Sequence, residues 1–277
     1  MKTAEGIVEC KARGNFRKNR IKPFVGDYVK ISINNNAENT IEEILPRKNS
    51  LIRPAVSNID NLLIVSSMVT PSPNLYIIDK LSVVCQKNEI EPIMVFNKTD
   101  VKDGEELAEI YKKAGFISFC VSAKTGEGIG KIKEYLKGKT TVLTGNSGAG
   151  KSSILNCLNE SLNLETGEVS KKLGRGRHTT RQCEIFEICG GEVVDTPGFS
   201  SLEIERIDSL LKEDLQFYFR EFEPYINSCQ FTSCAHIKEK GCKVIDAVNS
   251  GDISPSRFES YKALYDELRD IKEWQLN

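Results

Sequence analysis

One octapeptide constrains the fold of this chain more than any other stretch. Residues 145–152 read GNSGAGKS, which matches the phosphate-loop pattern G-x-x-x-x-G-K-[ST]. The apolar run TTVLTG leads into the loop and the helical run SSILNCLN leads out of it, so the pattern stands in its required strand–loop–helix context. In such a loop, backbone N–H groups and the positive end of the helix surround phosphate oxygens. The chain is therefore predicted to contain an α/β sheet that binds a nucleotide phosphate.

The side chains of this loop suggest separate roles. Lys151 would place a cation beside the β- and γ-phosphates, and the Ser152 hydroxyl is in position to ligate Mg²⁺. The predicted phosphate-binding residues are Gly145, Asn146, Ser147, Gly148, Ala149, Gly150, Lys151, Ser152 and Ser153.

Two short segments indicate which base is bound. Residues 97–100 (NKTD) follow the predicted strand PIMVF, and residues 122–124 (SAK) follow the predicted strand ISFCV. The Asp100 carboxylate can accept hydrogen bonds from guanine N1–H and the 2-amino group, a donor pair that adenine lacks. Both segments stand at the carboxyl ends of strands, so they converge on one pocket with the phosphate loop. The predicted guanine-binding residues are Asn97, Lys98, Thr99, Asp100, Ser122, Ala123 and Lys124.

A third segment, DTPG at residues 195–198, follows the predicted strand GGEVVD. Asp195 would hold a water of Mg²⁺, and the Gly198 N–H would contact the γ-phosphate. Upstream lies the basic loop GRGRHTTR (174–181), in which either Thr179 or Thr180 is predicted to ligate Mg²⁺. The sequence does not choose between the two threonines, and an ordinary surface loop is the alternative interpretation.

Three thiols and an imidazole cluster near the C-terminus. Cys229, Cys234, His236 and Cys242 lie within fourteen residues, and Cys₃His is a closed tetrahedral zinc set. Four protein ligands leave no open position, so a structural Zn²⁺ is predicted, with coincidence among free thiols as the alternative. The other cysteines, interpreted mainly as small buried hydrophobes, are Cys10, Cys85, Cys120, Cys157, Cys183 and Cys189.

The first 56 residues contain β-like runs (GIVEC, DYVKISI, NTIEEIL) broken by turn residues, which favours an OB-like barrel. A cationic loop with an aromatic residue on such a barrel is typical of nucleic-acid binding, whereas a solvated loop is the alternative. The cations predicted to contact RNA are Lys11, Arg13, Arg17, Lys18, Arg20 and Lys22.

Charge and length limit the remaining possibilities. The 277 residues carry a net charge of −1, which excludes a wholly basic nucleic-acid coat. No run approaches 18 apolar residues and the start MKTAEGIVECKARG lacks an apolar signal core, so we expect a cytoplasmic protein without a membrane span.

Strands alternate with helices from about residue 60, which predicts a parallel sheet covered on both faces. The predicted domains are 1–56, an RNA-binding barrel; 57–205, a nucleotide-binding domain; and 206–277, a helical zinc-binding domain.

The nucleotide motifs resemble the five guanine-nucleotide boxes of Ras-like GTPases, but in a different order. NKTD at 97 and SAK at 122 precede the phosphate loop at 145, whereas in Ras-like GTPases they come last. Joining nearby termini and opening a surface loop preserves a sheet. The predicted fold class is therefore a circularly permuted α/β P-loop GTPase domain with an N-terminal OB-like β-barrel and a C-terminal helical zinc-binding domain. In this order, DTPG runs directly into the C-terminal region.

The combination of GNSGAGKSS, GRGRHTTR, DTPGF and C-x4-C-x-H-x5-C resembles the bacterial RsgA family of small-subunit-dependent GTPases over essentially the whole chain. The resemblance implies a GTPase that binds the 30S ribosomal subunit late in its maturation, hydrolyses GTP when bound, and leaves. It also implies that the barrel and the zinc domain contact 16S rRNA. We expect GTP and GDP as nucleotide ligands, Mg²⁺ bound together with GTP, and a monomeric protein.

One position departs from Ras-like GTPases. Phe199 stands where those enzymes have a glutamine that orients the attacking water, and a phenyl ring cannot make that hydrogen bond. His178 is the candidate for this role, and the resemblance to RsgA implies the same; a ribosome-contacting or solvated histidine is the alternative. Two further functions stay open: an RNA-binding assembly factor whose turnover is incidental, and a GTPase of the large subunit, which the barrel and the zinc cluster disfavour.

Overall fold

The computed structural model describes residues 1–14, 16, 21–34, 38–159, 183–195, 210–271 and 274. The described strands are β1 (Lys2–Thr3), β2 (Gly6–Ile7), β3 (Lys11–Ala12), β4 (Val29–Ser32), β5 (Thr40–Ile44), β6 (Ser50–Leu51), β7 (Val56–Ser57), β8 (Asn61–Ser67), β9 (Glu91–Asn97), β10 (Ile117–Val121), β11 (Thr140–Thr144), β12 (Glu184–Ile188) and β13 (Gly191–Asp195). The described α-helices are α1 (Leu75–Lys87), α2 (Glu105–Lys113), α3 (Ile129–Leu136), α4 (Lys151–Leu158), α5 (Lys243–Ser250) and α6 (Pro255–Glu267).

A six-stranded sheet in the order β10-β9-β8-β11-β13-β12 forms the centre of the molecule. Its first five strands are parallel, and β12 pairs antiparallel with β13 at one edge. Residues of β8 alternate between the two faces: Leu62 and Ile64 enter one apolar cluster, and Leu63 and Val65 enter the other. Continuous apolar strands form here because both faces of the sheet are covered, as the sequence predicted.

Helices cover the two faces of the sheet in pairs. Helices α1 and α2 contribute to the cluster that contains Leu62, and helices α3 and α4 contribute to the cluster that contains Leu63. Helix α1 begins where the side chain of Asn74 accepts a hydrogen bond from Ile77 N (3.3 Å), which satisfies one of the free N–H groups of its first turn. The alternation of strands and helices predicted from about residue 60 is confirmed.

The first 57 residues form small sheets. Strands β3, β5 and β4 pair in that order, β1 pairs with β2, and β6 pairs with β7. An isolated bridge between Val25 and Val56 joins two of these segments. The predicted β-rich N-terminal segment is confirmed; the ladders of the described residues do not close into a ring, and the OB-like barrel stays a prediction.

The C-terminal module (residues 210–271) packs on the α1–α2 face of the sheet. It contains two 3₁₀ helices, Leu215–Tyr218 and Arg220–Tyr225, followed by α5 and α6. Phe258, Tyr261, Leu264 and Leu268 are buried and form the face by which the last helix packs on the core. Among the residues that the structure describes, no helix has both the length and the apolar character needed to cross a bilayer.

The lone cysteines are less buried than their apolar neighbours suggested. Cys85 is fully buried in α1, as predicted. Cys120 and Cys157 are only half-buried. The reason is their place in the fold: Cys120 lies on the edge strand β10, and Cys157 lines a cavity between α3 and α4.

Candidate functional site

Two glycines of the phosphate loop sit where no side chain fits. Gly145 has φ +144°, and a Cβ there would lie 2.1 Å from the carbonyl oxygen of Val65. Gly150 has φ +96°, and its Cβ would lie 2.1 Å from Nδ2 of Asn97. Both positions require a residue without a Cβ. The loop is therefore pressed against the ends of the neighbouring strands β8 and β9.

The cationic and hydroxyl side chains of the loop stand at the start of α4. Helix α4 begins at Lys151, so Ser152 and Ser153 lie in its first turn, where free N–H groups and the helix dipole favour an anion. The Nζ atom of Lys151 donates to the carbonyl oxygens of Gly145 (2.6 Å) and Asn146 (3.1 Å). This places a cation at the mouth of the phosphate loop.

Asn97 joins the phosphate loop to the base-reading loops. Its Nδ2 donates to the carbonyl oxygen of Ala149 (2.9 Å), and its Oδ1 accepts from Ala123 N (3.1 Å). Asn97 is 2% exposed, so this bridge is shielded from water. The three segments that the sequence assigned to one pocket are thus held together by a single amide.

Lys98 makes a second connection to the phosphate loop. It has φ +69°, and its Nζ donates to the carbonyl oxygens of Gly148 (2.8 Å) and Thr70 (3.1 Å). Thr70 belongs to the segment between β8 and α1, which the sequence did not connect with the site. Pro71 in the same segment would lie 3.4 Å from a Cβ at Gly148.

Ser122 orients the carboxylate that was predicted to read the base. Its Oγ donates to Asp100 Oδ1 (2.8 Å) and accepts from Thr125 N (3.2 Å). Ser122 is fully buried, so its hydroxyl has few alternative partners. A carboxylate fixed in this way can present acceptors to a guanine N1–H and 2-amino group.

Of the predicted switch residues, Asp195 lies within the described part of the chain. Asp195 is the last residue of β13, which pairs with β11 and therefore ends at the same edge as the phosphate loop. The predicted residues His178, Thr179, Thr180 and Gly198 lie outside the described residues. Their roles stay predictions.

The thiols and imidazole of the C-terminal module meet in one cluster, in which Cys229 is half-buried and the other three residues are buried. The donor atoms of Cys229, Cys234, His236 and Cys242 lie within 4.8 Å of one another. His236 Nδ1 is 3.3 Å from Cys242 Sγ and 3.6 Å from Cys229 Sγ. Three thiols and one ring nitrogen facing a common centre match the donor set of a closed zinc site.

The surroundings of this cluster fit a bound cation. Burial lowers the pKa of His236, so the imidazole is neutral and able to ligate. Burial raises the pKa of Cys242 to about 12, and a bound cation would offset this by stabilising the thiolate. The backbone N–H of Lys243 donates to Cys229 Sγ (3.2 Å), and Gln216 Oε1 lies 2.9 Å from His236 Nε2. Gln216 thus orients the ring so that Nδ1 faces the thiols. No motif in the sequence indicates Gln216, because it lies 20 residues upstream of the histidine.

The predicted RNA-binding cations are partly neutralised. Lys11 forms an ion pair with Glu38, and Arg13 pairs with Glu42 at 2.5 Å. Lys22 is exposed. Arg17, Lys18 and Arg20 lie outside the described residues.

A buried ion network attaches the C-terminal module to α1. Arg257 of α6 donates to Asp79 of α1 (2.7 Å) and to Glu221 (2.7 Å), and its guanidinium is 1% exposed. The Tyr111 hydroxyl also donates to Asp79 (2.9 Å). Burial raises the pKa of Asp79, and the charge of Arg257 opposes that rise.

A second arginine reinforces this attachment. Arg220 donates to both carboxylate oxygens of Glu91 (2.9 and 2.5 Å) and to Gln86 (2.9 Å). Its guanidinium also lies 4.7 Å from the centre of the Phe116 ring. The sequence did not predict either arginine contact.

The site and the strand order together define a class of protein. The phosphate loop follows β11, which is the fourth strand of the sheet in chain order, and the base-reading loops follow β9 and β10, which precede it. This is the arrangement of a circularly permuted GTPase. Solved structures support this class: "YloQ, a circularly permuted GTPase" aligns with a TM-score of 0.76 at 34% identity, over 96% of this chain and 87% of that one.

Family models and relatives identify the family. A model described as RsgA GTPase matches residues 44–205, and one described as RsgA N-terminal domain matches residues 1–41. "Small ribosomal subunit biogenesis GTPase RsgA" of Caldanaerobacter subterraneus subsp. tengcongensis is 46% identical over 98% of this chain and 91% of its own length. YjeQ from Thermotoga maritima aligns with a TM-score of 0.79 at 37% identity, over 97% and 93% of the two chains. The chain belongs to the RsgA GTPase family and is a GTPase, as the motifs predicted.

Proposed function

We propose that this GTPase binds the 30S ribosomal subunit late in the maturation of that subunit and hydrolyses GTP when bound, which times its release. The name of the relative from Caldanaerobacter, a small ribosomal subunit biogenesis GTPase, supports the choice of partner. One observation carries the choice of nucleotide: the Asn97 amide holds the phosphate loop and the base-reading loop together, with the Asp100 carboxylate oriented beside them.

The nucleotide contacts follow from this geometry and from the motifs. Asp100 reads the guanine edge, Lys151 lies by the β- and γ-phosphates, and the first turn of α4 surrounds the phosphate oxygens. Ser152, Asp195 and either Thr179 or Thr180 would hold Mg²⁺ directly or through water. When bound, Mg²⁺ neutralises charge that develops on the phosphates.

Hydrolysis needs an oriented water. Phe199 offers no hydrogen bond where Ras-like GTPases use glutamine, and His178 is the residue that we propose for this task. The free enzyme is then expected to turn over slowly, because the contacts that bring His178 into position are made only on the subunit.

The flanking modules would supply the subunit contacts. The basic residues of the N-terminal segment are proposed to bind phosphates of 16S rRNA, and the Cys₃His cluster is proposed to hold one structural Zn²⁺. We further propose that the protein acts in the cytoplasm as a monomer.

Turnover with and without purified 30S subunits tests the proposal. We expect subunits to raise the turnover number well above the value of the free enzyme. Raising the salt concentration should weaken this stimulation at subsaturating subunit and leave the unstimulated rate almost unchanged. Equal turnover with and without subunits, together with normal subunit binding, would instead favour an RNA-binding assembly factor whose turnover is incidental.

The variant His178→Ala tests the catalytic role. Binding of GTP and of the 30S subunit should stay close to wild type, while most of the stimulated rate is lost. Lys151→Ala serves as the contrast, because it should weaken nucleotide binding itself. Full stimulation of the His178→Ala enzyme would rule out this assignment.

A further inference from the structure

The loop that carries His236 is built around one carboxylate. The side chain of Glu239 accepts hydrogen bonds from three backbone N–H groups. Ala235 N lies 3.2 Å from Oε1, and Ile237 N (2.8 Å) and Lys238 N (3.0 Å) both lie close to Oε2. Three N–H groups that converge on one anion form a binding concavity of the backbone, which is filled here by a side chain of the same loop. The residue between these donors is His236.

His236 has a backbone conformation that needs this support. Its φ is +58°, in the left-handed region that residues with a Cβ seldom adopt. The N–H groups on both sides, those of Ala235 and Ile237, bind the Glu239 carboxylate. The carboxylate therefore closes the turn that contains the left-handed residue. In this turn the imidazole faces the thiols, and its Nδ1 lies 3.3 Å from Cys242 Sγ.

Two contacts from outside the loop act on other atoms. The Tyr261 hydroxyl of α6 donates to the carbonyl oxygen of Ala235 (2.9 Å), which fixes the loop on the module. Gln216 contacts the imidazole at Nε2, on the side away from the thiols. Neither contact involves the backbone N–H groups of the loop. Glu239 therefore supplies what these neighbours do not, which is the shape of the backbone at His236.

The same hydrogen bonds keep the carboxylate charged. Partial burial raises the pKa of Glu239, but backbone N–H groups, those of Lys238, Ile237 and Ala235 among them, outweigh this effect and hold the pKa below its usual range. The ionised form is also the stronger acceptor, because hydrogen bonds to a charged group are shorter and stronger than those between neutral groups. The loop is thus held by an anion that its own backbone stabilises.

We propose that Glu239 is a positioning residue for the metal: it shapes the backbone of residues 235–238 so that His236 completes the Cys₃His set, and it thereby raises the affinity for Zn²⁺. Glu239 is not one of the four ligands and acts through His236. The inference rests on the structural Zn²⁺ of the proposed function. Partners that orient metal ligands change metal affinity by about 10- to 100-fold, and an effect in the same range is expected here.

The variant Glu239→Gln in the full-length protein tests this role. Glutamine keeps one oxygen acceptor, but its NH₂ group is a donor and would face an N–H group. At least one of the three backbone N–H groups would therefore lose its acceptor. Competition with a chromogenic chelator should show a dissociation constant for Zn²⁺ that is raised by about 10- to 100-fold. At saturating Zn²⁺ the variant should still hold one zinc, and its GTP affinity should match wild type.

Two further variants separate position from charge. Glu239→Asp keeps the charge but shortens the side chain by one methylene, so its oxygens cannot reach all three N–H groups and its zinc affinity should also fall. A role of charge alone would leave Glu239→Asp like wild type. The matched control, Glu223→Gln, removes the same charge from an exposed position of the C-terminal module and should bind Zn²⁺ like wild type.

A double-mutant cycle tests whether Glu239 acts through the histidine. His236→Ala removes one ligand and should weaken zinc binding by itself. Adding Glu239→Gln to His236→Ala should cause little further loss, because no imidazole remains to be positioned. Hydrogen exchange of the zinc-loaded proteins gives a readout that does not depend on affinity. The amides of Ala235, Ile237 and Lys238 should exchange faster in Glu239→Gln than in wild type.

An unchanged dissociation constant for Zn²⁺ in Glu239→Gln would overturn the inference, and so would wild-type affinity in Glu239→Asp. Equal losses from Glu239→Gln with and without the His236 side chain would rule out action through the histidine. Each of these results would leave the zinc site itself standing, provided that wild type holds one zinc per chain. Wild-type protein without zinc would instead contradict the site, and with it the role of Glu239.

Discussion

Replacing Arg257 by methionine would test the ion network that attaches the C-terminal module. The guanidinium is 1% exposed and lies 2.7 Å from both Asp79 and Glu221. Methionine fills much of the same volume but leaves two buried carboxylates without a counter-ion. Removing one partner of a buried ion pair costs about 3–5 kcal/mol. We expect a loss of about 4 kcal/mol, which is a large share of a typical stability of roughly 5–15 kcal/mol.

Native-state hydrogen exchange of the amides in α1 and α6 measures this loss where it occurs, without requiring that all modules unfold together. The double variant Asp79→Asn/Arg257→Met should be more stable than Arg257→Met alone, because one of the two unpaired buried carboxylates has been removed. The control is Arg269→Met. Arg269 pairs with Asp266 and is 64% exposed, so its replacement should change stability by less than about 0.5 kcal/mol.

The pH dependence of the loss has a definite sign. In the Arg257→Met variant, burial raises the pKa of Asp79 with no guanidinium to oppose it. A carboxyl group whose pKa is higher in the folded than in the unfolded protein binds its proton more tightly in the folded state. The free energy of unfolding therefore increases as pH falls. The deficit against wild type should therefore be smaller at about pH 5 than at about pH 8. A deficit below about 1 kcal/mol at both pH values would refute the interpretation of this network as a buried ion cluster.

Three further predictions address the nucleotide and metal sites. Asp100→Asn should lower GTP affinity by orders of magnitude and raise the relative preference for xanthosine triphosphate, measured by nucleotide titration; unaltered GTP affinity would contradict the placement of Asp100. Gly150→Ala should weaken GDP and GTP binding, because its Cβ would lie 2.1 Å from Asn97 Nδ2, whereas Gly138→Ala, with open space around its Cβ, should not. Metal analysis should find one zinc per chain in wild type and none in Cys234→Ser, which should still bind nucleotide; absence of zinc from the wild type would contradict the site.

The nucleotide pocket was predictable because its parts are encoded locally. Each motif stands directly after an apolar strand, and the carboxyl ends of parallel strands meet at one edge of the sheet. The spacing alone therefore placed Asn97, Ser122 and Gly145 together, and the structure confirms the contact of Asn97 with both other segments. The cysteine cluster was predictable for the same reason, since its four members lie within fourteen residues.

The contacts between modules were not predictable, because they join residues that are far apart in sequence. Asp79 and Arg257 are 178 positions apart, and neither belongs to a recognisable pattern. Asp79 did leave one signal: it is an acidic residue within the apolar run LYIIDKLSVV, and a buried acid requires a partner. The identity of that partner depends on how α6 packs against α1, which the sequence periodicity of either helix does not specify.

These contacts suggest a physical connection between the C-terminal module and the nucleotide site. Arg257 and Arg220 fix the module to α1 and β9 through ion pairs that are buried or half-buried. Hinge motion at this interface would therefore have to expose these charges to water or separate them from their partners. Helix α1 follows the segment that contains Thr70, whose carbonyl oxygen accepts from Lys98 beside the phosphate loop. Displacement of the C-terminal module relative to the sheet would therefore have to be accommodated by α1 and by this segment. This packing route does not involve residues 199–209, which connect DTPG to the module along the chain. The nucleotide loops are therefore linked to the C-terminal module both through packing and through the chain.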